Sequence, residues 1–514
     1  MGGQYQLEGP EAGTPPVRCS DNAHTRMSAR SSTAWIGGLA IGVLALHLAT
    51  NSLYDFHRDS LYYMDSARHP AWGYVDYPPV TPTIARLSLW IFGPSVWGLR
   101  LWPSLAGALI VVLAALIARE LGGGRFAQVL AAVAAASSPV LLGANWLFQT
   151  VTFDQLLWVV CFWIAARLVR TGDSRLWLAL GIGLGVGLET KYTIVALAAG
   201  FAVGAIMTRE RRHVRTPWPW LGLGATLVIF LPNLLWQAAN DWPSVQYTLN
   251  HKSTQSVDFS PLTFLAEQLA LIGPLAIPLW LAGWYRLFSI QGSRFLGIAA
   301  AVPFVTFLFV GKSYYVGPLH PILLSAGACG LELWSANRAR WLRPATATAL
   351  VLDALLLMPL ALPLLPEAAM ARSPLPAARK DFADTIGWHD LVAQVARVYN
   401  GLPPGSRANA LIITDNYGEA GAINIYGPRL GLPTALSGEL TYYLWKPAHL
   451  SNGPVVAVGI DPAFLSRWFG GCRVVATITN SYGLHNEEFG APISVCSDPV
   501  KPMDELWPEF KAFH

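Results

Sequence analysis

The sequence predicts an α-helical polytopic membrane protein that carries a small α/β domain at its carboxyl end. Of its 514 residues, 53% are hydrophobic and only 13% are charged. The mean hydropathy of +0.39 lies above the usual range of soluble proteins and within that of polytopic membrane proteins. Apolar segments near the length of about 20 residues that crosses a bilayer as a helix recur up to residue 365. Shorter apolar runs replace them beyond that point.

Eleven apolar segments are predicted to span the membrane. Their limits are 35–53, 97–118, 127–145, 153–169, 176–189, 193–208, 219–237, 263–285, 295–311, 316–334 and 345–364. Between the first two, Val80, Ile84, Leu87 and Ile91 fall on one helical face. This spacing predicts an amphipathic helix that lies in the membrane interface.

The arginines predict the orientation of these spans. If the amino terminus is cytoplasmic, every short loop on that side is basic, as the positive-inside rule requires. These loops carry Arg119 and Arg125; Arg167, Arg170 and Arg175; Arg209, Arg211, Arg212 and Arg215; Arg286 and Arg294; and Arg338, Arg340 and Arg343. We therefore expect a disordered cytoplasmic tail at 1–33, a transmembrane domain at 34–365, and an extracytoplasmic domain at 366–514.

A polar loop follows the first span, from Tyr54 to Pro82, and reads YDFHRDSLYYMDSARHPAWGYVDYPPVTP. Such a concentration of carboxylates and tyrosines between spans is expected of a membrane enzyme that works at the bilayer surface. We interpret the loop, with its carboxylates Asp55, Asp59, Asp65 and Asp76, as half of an active site.

A second carboxylate, Asp154, lies in QTVTFDQLLW at the predicted outer entrance of a span. A carboxylate there is costly unless it is paired or hydrated. One explanation is helix-start chemistry, in which Thr150 or Thr152 caps the helix and Asp154 meets the helix dipole. The other is a functional role, because Asp59 and Asp154 come from distant segments on the same predicted side. The second explanation requires the two carboxylates to converge in a wet cavity.

All seven lysines are extracytoplasmic in this topology, including Lys191 and Lys312 in the membrane half. Each could extend to the interface as an ordinary snorkelling side chain, and Lys191 could pair with Glu189. Alternatively, Lys191 and Lys312 could form a basic rim for an anionic lipid head group. The motif KSYYVGPLHP adds Tyr314, Tyr315 and His320 near Lys312, although an aromatic belt would also explain the tyrosines.

Together these motifs resemble those of a known superfamily. Residues 35–340 resemble the GT-C superfamily of polyprenyl-phosphate-dependent membrane glycosyltransferases. The similarity is to the branch of protein O-mannosyltransferases and lipid A aminoarabinose transferases, and most of all to bacterial glycosyltransferase family 39. RDSLYYM, GYVDYPPVTP, TFDQLLW, TKY and KSYYVGPLHP match family motifs in the same order.

The resemblance implies roles for individual residues. Asp59 would be the catalytic carboxylate and Asp154 its partner. The donor phosphate would be bound by Lys191, Lys312, Tyr314 and Tyr315, and the substrates would contact Tyr62, Tyr63, Asp76, Tyr77 and His320. The sequence departs from the family pattern at two positions. Ser60 stands where the family often has Glu, which puts the binding of a possible divalent cation in doubt. Tyr77 stands where the aminoarabinose enzymes carry Lys.

The resulting expectation is an inverting glycosyltransferase that uses a polyprenyl-phosphate sugar donor and a glycan, lipid or protein acceptor. The alternative is a transporter or flippase of a lipid-linked sugar, for which polar residues near the bilayer midplane would be typical. A non-catalytic membrane scaffold would explain the carboxyl-terminal domain but not the acidic and basic motifs. No nucleic-acid-binding motif is present.

In the last part of the chain, apolar runs at 410–414, 455–459, 473–479 and 491–495 alternate with helical stretches at 389–399 and 461–469. This alternation predicts a small α/β domain. Cys472 and Cys496 could form a disulfide in an oxidising compartment. The segment DNYGEAG at 415–421 is either a ligand-binding turn or an ordinary strand-to-helix connection.

Overall fold

The computed structural model describes residues 23–254, 260–336 and 338–513. The side chains of residues 23–31 and 251–254 are outside this description. Residues 1–22, most of the predicted cytoplasmic tail, also lie outside it. The first helix begins at Ala23, before the predicted start of the first span at residue 35.

The described residues from Ala23 to Ala361 form a bundle of α-helices. These are α1 (Ala23–Thr50), α2 (Arg58–Arg68), α3 (Val80–Phe92), α4 (Val96–Glu120), α5 (Arg125–Ser137), α6 (Pro139–Trp146), α7 (Thr150–Thr171), α8 (Leu176–Leu188), α9 (Ile194–Met207), α10 (Trp218–Ala239), α11 (Pro243–Thr254), α12 (Pro261–Ile272), α13 (Ile277–Ser289), α14 (Arg294–Val310), α15 (His320–Ser335) and α16 (Leu342–Ala361). The amphipathic helix expected around 80–91 is α3.

Among the described residues, six helical segments are long and apolar enough to cross a membrane. They lie in α1, α4, α7, α10 and α16 and in Ser313–Ser335, which contains α15. Helices α8, α9 and α14 are apolar but shorter, with 13, 14 and 17 residues. An apolar helix therefore stands at each of the eleven predicted segments, while a count of eleven spans remains a prediction.

Two predicted spans, 127–145 and 263–285, are broken rather than straight. Helices α5 and α6 meet at 56°, and α12 meets the helical segment Pro274–Ser289 at 95°. A proline follows each break, and a proline disfavours the helical conformation of the residue before it. Accordingly, Ser138 is extended, and Gly273 has a φ of 96° that a side chain would strain. Hydropathy alone does not detect such breaks.

The arginine-bearing ends of the helices meet at one end of the bundle. Glu120, at the end of α4, accepts from Arg119 at 3.3 Å and also pairs with Arg170 near the end of α7. Glu332 near the end of α15 accepts from the backbone amide of Gly124, at the start of α5, at 2.6 Å. Because Arg170 and Thr150 are at opposite ends of α7, this basic end lies opposite the end where α7 begins.

Helices α8 and α10 pack closely through glycine. A Cβ atom added to Gly181 would lie 2.1 Å from the carbonyl oxygen of Gly222 on the facing helix. The hydroxyl of Thr226 donates to the Gly181 carbonyl at 2.7 Å in the same contact. Small residues at such positions allow two membrane helices to approach closely.

The carboxyl-terminal part contains a five-stranded sheet. Its strands are β1 (Leu411–Thr414), β2 (Leu436–Ser437), β3 (Val455–Val458), β4 (Phe469–Thr477) and β5 (Pro492–Pro499), in the order β2-β1-β3-β5-β4. β1 is parallel to β2 and β3, whereas β5 is antiparallel to both of its neighbours. Strands thus form at all four predicted apolar runs. A disulfide joins Cys472 and Cys496 across β4 and β5.

Helices precede, connect and follow these strands along the chain. They are α17 (Glu367–Ala371), α18 (Leu375–Ala378), α19 (Lys380–Ala383), α20 (Trp388–Asn400), α21 (Pro404–Arg407), α22 (Tyr417–Tyr426), α23 (Pro462–Leu465) and α24 (Met503–Leu506). The helix predicted over 461–469 is only the four-residue α23, because β4 begins at Phe469 and continues through Gly470 and Gly471. Leu61 of α2 and Ile423 of α22 belong to one buried core, so the sheet-containing part packs directly on α2.

Candidate active site

The polar loop folds into α2, and its start is fixed from two sides. Arg100 of α4 donates to the carbonyls of Asn51 at 2.7 Å, Tyr54 at 2.9 Å and Asp55 at 2.6 Å, which anchors the chain between α1 and α2. His57 caps α2 by accepting the backbone amide of Asp59 at Nδ1, 3.2 Å away. A buried arginine and an N-cap histidine therefore determine where the first turn of α2 lies.

Asp59 stands in that first turn with its side chain 31% exposed. Its Oδ1 accepts a hydrogen bond from the hydroxyl of Tyr417 at 2.8 Å, and its Oδ2 lies 3.9 Å from Nδ1 of His57. The carboxylate lines a cavity of about 480 Å³. Asp59 is thus held by one fixed donor and still reaches open space.

His57 lies behind Asp59 and faces further carboxylates. Its Nε2 is 3.7 Å from Asp384 and 3.9 Å from Asp381. Burial alone would lower the pKa of His57, but Asp59, Asp384 and Asp381 outweigh it and raise that pKa above its ordinary value.

The cavity combines an apolar wall with a few polar groups. Val140, Ala144, Val151, Leu271, Leu357 and Leu360 provide apolar wall, and His57, Asp59, Gln149, Gln155, Tyr314, Arg379 and Asp381 are polar. Gln155 is fully buried, and neither its Oε1 nor its Nε2 has a partner in the described structure. Buried amides are normally hydrogen-bonded, so this side chain is suited to a polar ligand in the cavity. Such a lining fits an amphipathic ligand with a charged head.

Arg379 is a cavity residue that the sequence analysis missed. It donates to the carbonyls of Leu360 at 2.8 Å, Ala361 at 2.7 Å and Gly143 at 3.0 Å, and to Asp381 at 3.0 Å. It therefore ties the segment after α16 to the end of that helix and to α6. It belongs to no motif and lies in the segment assigned to the separate domain, so nothing in the sequence marked it.

The two acidic segments converge, but their carboxylates face different surroundings. The Ser60 hydroxyl donates to the Phe148 carbonyl at 3.3 Å, and the Tyr63 hydroxyl contacts Thr150, so α2 packs on the start of α7. Asp154 does not line the cavity. Its two oxygens accept from Trp158 and from Thr193 of the α9 turn, each at 2.9 Å.

The helix-start explanation for Asp154 is wrong. The N-cap of α7 is Gln149, without a side-chain capping bond, and the first turn contains no acidic residue. The hydroxyl of Thr152 instead donates to the carbonyl of Ala144 at 2.6 Å. Asp154 therefore links α7 to the turn that carries Lys191, with which it interacts electrostatically.

The predicted phosphate-binding residues come together in part. The ammonium of Lys191 lies 4.8 Å from the ring centre of Tyr315 and 5.8 Å from that of Tyr314, which lines the cavity. No ion pair joins Lys191 and Glu189 within the described residues. Lys312 is exposed and is not part of the cavity wall.

The predicted substrate-binding residues do not line this cavity. Tyr62 is buried, and its hydroxyl contacts Asp76 at 2.9 Å and Thr441 at 2.6 Å. Tyr77 contacts the Ser66 hydroxyl at 2.7 Å, and the ring of Tyr63 packs 4.8 Å from that of Tyr77. These aromatic residues form a layer that supports α2. His320 is buried at the start of α15, and neither of its ring nitrogens is hydrogen-bonded to a described residue.

The sequence alone does not decide whether the site binds a divalent cation. Within the described parts of the chain, no group of three or more His, Cys, Asp or Glu side chains is arranged to hold a metal ion. Ser60, at the position where the family often has Glu, is buried against Phe148. The side chains around Asp59 do not fit a metal, so no catalytic step is assigned to one.

Parts of the sequence are similar to known glycosyltransferases. Residues 76–236 match the family model of dolichyl-phosphate-mannose-protein mannosyltransferases. The lipid A galacturonosyltransferase RgtD of Rhizobium johnstonii is 26% identical over 247 residues, which cover 45% of this chain and 50% of that protein. The chain thus spans about half the length of this curated relative.

The structural similarity is broader. The crystal structure of ArnT from Cupriavidus metallidurans bound to undecaprenyl phosphate superposes with a TM-score of 0.60 at 15% identity, over 90% of this chain and 98% of that one. The same protein in the apo state gives 0.59 at 16% identity with the same coverage. These matches confirm the resemblance read from the sequence: this chain is a multi-pass membrane protein with the fold of the GT-C glycosyltransferases.

Proposed function

We propose that this protein is an inverting glycosyltransferase that moves a sugar from a polyprenyl-phosphate donor to an acceptor hydroxyl at the outer face of the cytoplasmic membrane. The observation that carries the proposal is Asp59, a carboxylate fixed by one donor at the edge of a largely apolar cavity. The fold, the matched family segment and the glycosyltransferase relative support the reaction class.

The chemistry requires a base and a stable leaving group. Asp59 takes the proton of the acceptor hydroxyl while the acceptor oxygen forms a bond to the anomeric carbon. The bond from that carbon to the phosphate oxygen breaks, and the polyprenyl phosphate leaves with the electron pair. A single displacement of this kind inverts the anomeric centre. No strong general acid is needed, because phosphate is already a good leaving group.

Cations near the cavity are expected to hold the phosphate. Lys191 stands above the rings of Tyr315 and Tyr314, an arrangement that restricts the ammonium without neutralising it. Lys312 lies on the same short segment as these tyrosines and adds exposed positive charge. The binding of undecaprenyl phosphate to ArnT supports a donor of this type.

The orientation and the acceptor are part of the same proposal. With the arginine-rich end in the cytoplasm, α2, the cavity and residues 366–514 lie outside. The acceptor is a glycan, lipid or protein with a free hydroxyl. Because the relative RgtD is named for transfer to lipid A, lipid-linked glycans are the first acceptors to assay.

The test is the replacement Asp59→Asn in the purified full-length protein, assayed with a radiolabelled polyprenyl-phosphate sugar. Removal of a general base is expected to lower the transfer rate by about 10²- to 10⁴-fold with an unchanged thermal melting temperature. Asp55→Asn is the matched control, because Asp55 is in the same loop but pairs with Tyr426 and does not line the cavity.

Two outcomes would contradict the proposal. One is near-wild-type transfer by Asp59→Asn. The other is movement of the labelled lipid across a vesicle membrane without sugar transfer, which would favour the transporter or flippase alternative.

A further inference from the structure

One hydrogen bond to Asp59 comes from the sheet-containing part of the chain. The donor is Tyr417, the first residue of α22, which follows β1 in the segment DNYGEAG. This segment is a strand-to-helix connection. The side chain of Tyr417 reaches a carboxylate 358 positions earlier in the chain. No membrane helix supplies a side-chain hydrogen bond to Asp59 in the described structure.

The backbone of Tyr417 is fixed by its own turn. Asn416 accepts the amide of Glu419 at 3.0 Å while Glu419 accepts the amide of Asn416 at 3.4 Å, which forms a capping box. The amide of Tyr417 itself donates to Glu439 at 2.7 Å. The start of α22 is thus held by two carboxylates rather than left as a flexible loop.

The ring of Tyr417 is also held in place. It stacks on Tyr62 of α2 at 5.0 Å between ring centres. The guanidinium of Arg58 lies 5.0 Å from the centre of the Tyr417 ring and pairs with Glu487. A ring fixed in this way points its hydroxyl at Asp59 before any substrate binds, and such preorganisation makes a hydrogen bond effective in catalysis.

We propose that Tyr417 is a positioning residue for sugar transfer: its hydroxyl holds Oδ1 of Asp59, which leaves Oδ2 free to accept the acceptor's proton, and the carboxyl-terminal part thereby completes the active site. The inference rests on the proposed glycosyltransferase function. It adds a residue outside the membrane domain to the catalytic apparatus.

Other ionisable groups surround Asp59, and they are the same in the wild-type protein and in the variant Tyr417→Phe. They are His57, Arg58 and Tyr63 around α2, Asp76 in the loop that follows, Tyr247 in α11, Tyr314 before α15, Asp381 and Asp384 behind His57, and Glu439 beside Tyr417. Removing only the Tyr417 hydroxyl leaves all of these unchanged. An altered pH profile would therefore report on this one bond.

The variant Tyr417→Phe tests the inference, with Tyr426→Phe as its matched control. Both tyrosines are in α22, and each donates to an aspartate of the polar loop, but Tyr426 donates to Asp55 at 2.5 Å. Tyr417→Phe is expected to lower kcat by about 10- to 100-fold, the range for a lost hydrogen bond to a charged group, with little change in KM for the donor. Because a donated hydrogen bond favours the ionised carboxylate, the acidic limb of the rate profile is expected to move to higher pH.

A second measurement does not depend on turnover. Infrared difference spectra against Asp59→Asn follow the ionisation of Asp59, which should shift to higher pH in Tyr417→Phe but not in Tyr426→Phe. Equal losses of kcat in both variants, or an unshifted ionisation of Asp59, would overturn the inference. Absence of transfer by the wild-type protein, with the infrared shift present, would overturn the proposed reaction and leave the bond from Tyr417 to Asp59 established.

Discussion

Asp76 lies beneath α2, where the Tyr62 hydroxyl donates to it. Burial raises its pKa to about 8, partly offset by the bond from Tyr62. The ordinary value in an unfolded chain is about 3.9, so between about pH 4 and about pH 8 the folded protein keeps a proton that the unfolded chain releases. Stability contributed by this group is therefore lost as the pH rises through that window.

Asp76→Asn should remove this dependence, because the amide oxygen still accepts from Tyr62 and carries no charge. We expect the melting temperature of the variant to fall less between about pH 4 and about pH 8 than that of the wild type. Thermal unfolding in detergent across this range measures the difference. Parallel curves for the two proteins would show that Asp76 ionises normally.

At the residue scale, the sequence predicted the principal carboxylate better than its surroundings. Asp59 and Lys191 were marked by motifs, and both lie at or beside the cavity. Asp154 was marked equally well, yet its oxygens are occupied by Trp158 and Thr193. A motif locates a residue along the chain but does not report which way its side chain turns. Arg379 left no signal, because single arginines occur in any surface segment. Tyr417 lies in DNYGEAG, which the sequence marks only as a possible ligand-binding turn, and nothing in the sequence connects it with Asp59.

At the scale of elements, the contact between α8 and α10 gives a direct prediction. Gly181→Ala places a methyl group 2.1 Å from the Gly222 carbonyl, a distance that forces the helices apart. We expect a loss of about 1–3 kcal/mol in unfolding free energy, the usual cost of overpacking. Thermal or denaturant unfolding in detergent measures it.

Gly224→Ala is the control for this prediction, since nothing lies within 4 Å of a Cβ atom at that position of α10. Alanine is the better helix former, so this variant should be as stable as the wild type or slightly more stable. A similar loss in both variants would mean that helix propensity, rather than the contact with α8, decides the outcome.

Helix positions were predictable because an apolar run of about 20 residues is itself the physical requirement for a span. The breaks at Ser138 and Gly273 were not predicted, since hydropathy averages over the prolines that follow them. The strands were found from their apolar runs, except β2, whose two residues, Leu436 and Ser437, are too few to form a pattern. Local sequence patterns thus predicted the helices and strands, whereas the contacts between them could be identified only from the structure.

At the scale of the whole molecule, the sheet-containing part and α2 form one unit. Asp65, buried in α2, accepts from Asn424 at 2.7 Å and Tyr442 at 2.6 Å, and the Tyr62 hydroxyl reaches Thr441. The sequence predicted an α/β domain outside the membrane but not this attachment. Contacts between residues hundreds of positions apart leave no pattern in one sequence.

A protease site inserted between Ser373 and Pro374 tests this attachment. After cleavage of the folded protein, we expect the fragment that begins at Pro374 to remain bound and transfer to continue, because the buried contacts with α2 do not depend on the linker. Gel filtration in detergent followed by denaturing electrophoresis detects the bound fragment. Release of the fragment with retained transfer would show that the carboxyl-terminal part is dispensable.

The same cleavage in an Asp65→Ala background provides the comparison. This change leaves Asn424 and Tyr442 without their buried acceptor, and an unpaired buried donor costs about 1–3 kcal/mol. The fragment should dissociate more readily than from the otherwise unaltered protein. Equal retention would assign the attachment to apolar packing such as that of Leu61 with Ile423.

The separation of 358 positions between Asp59 and Tyr417 also sets a delay between the synthesis of the two residues. A ribosome adding 5–20 residues per second needs roughly 20 to 70 s to pass from one to the other. During that interval the nascent chain contains Asp59, the proposed base, without the Tyr417 hydroxyl that we propose positions it. Under the proposed function, the newly made protein is thus expected to transfer sugar slowly until α22 has packed against α2.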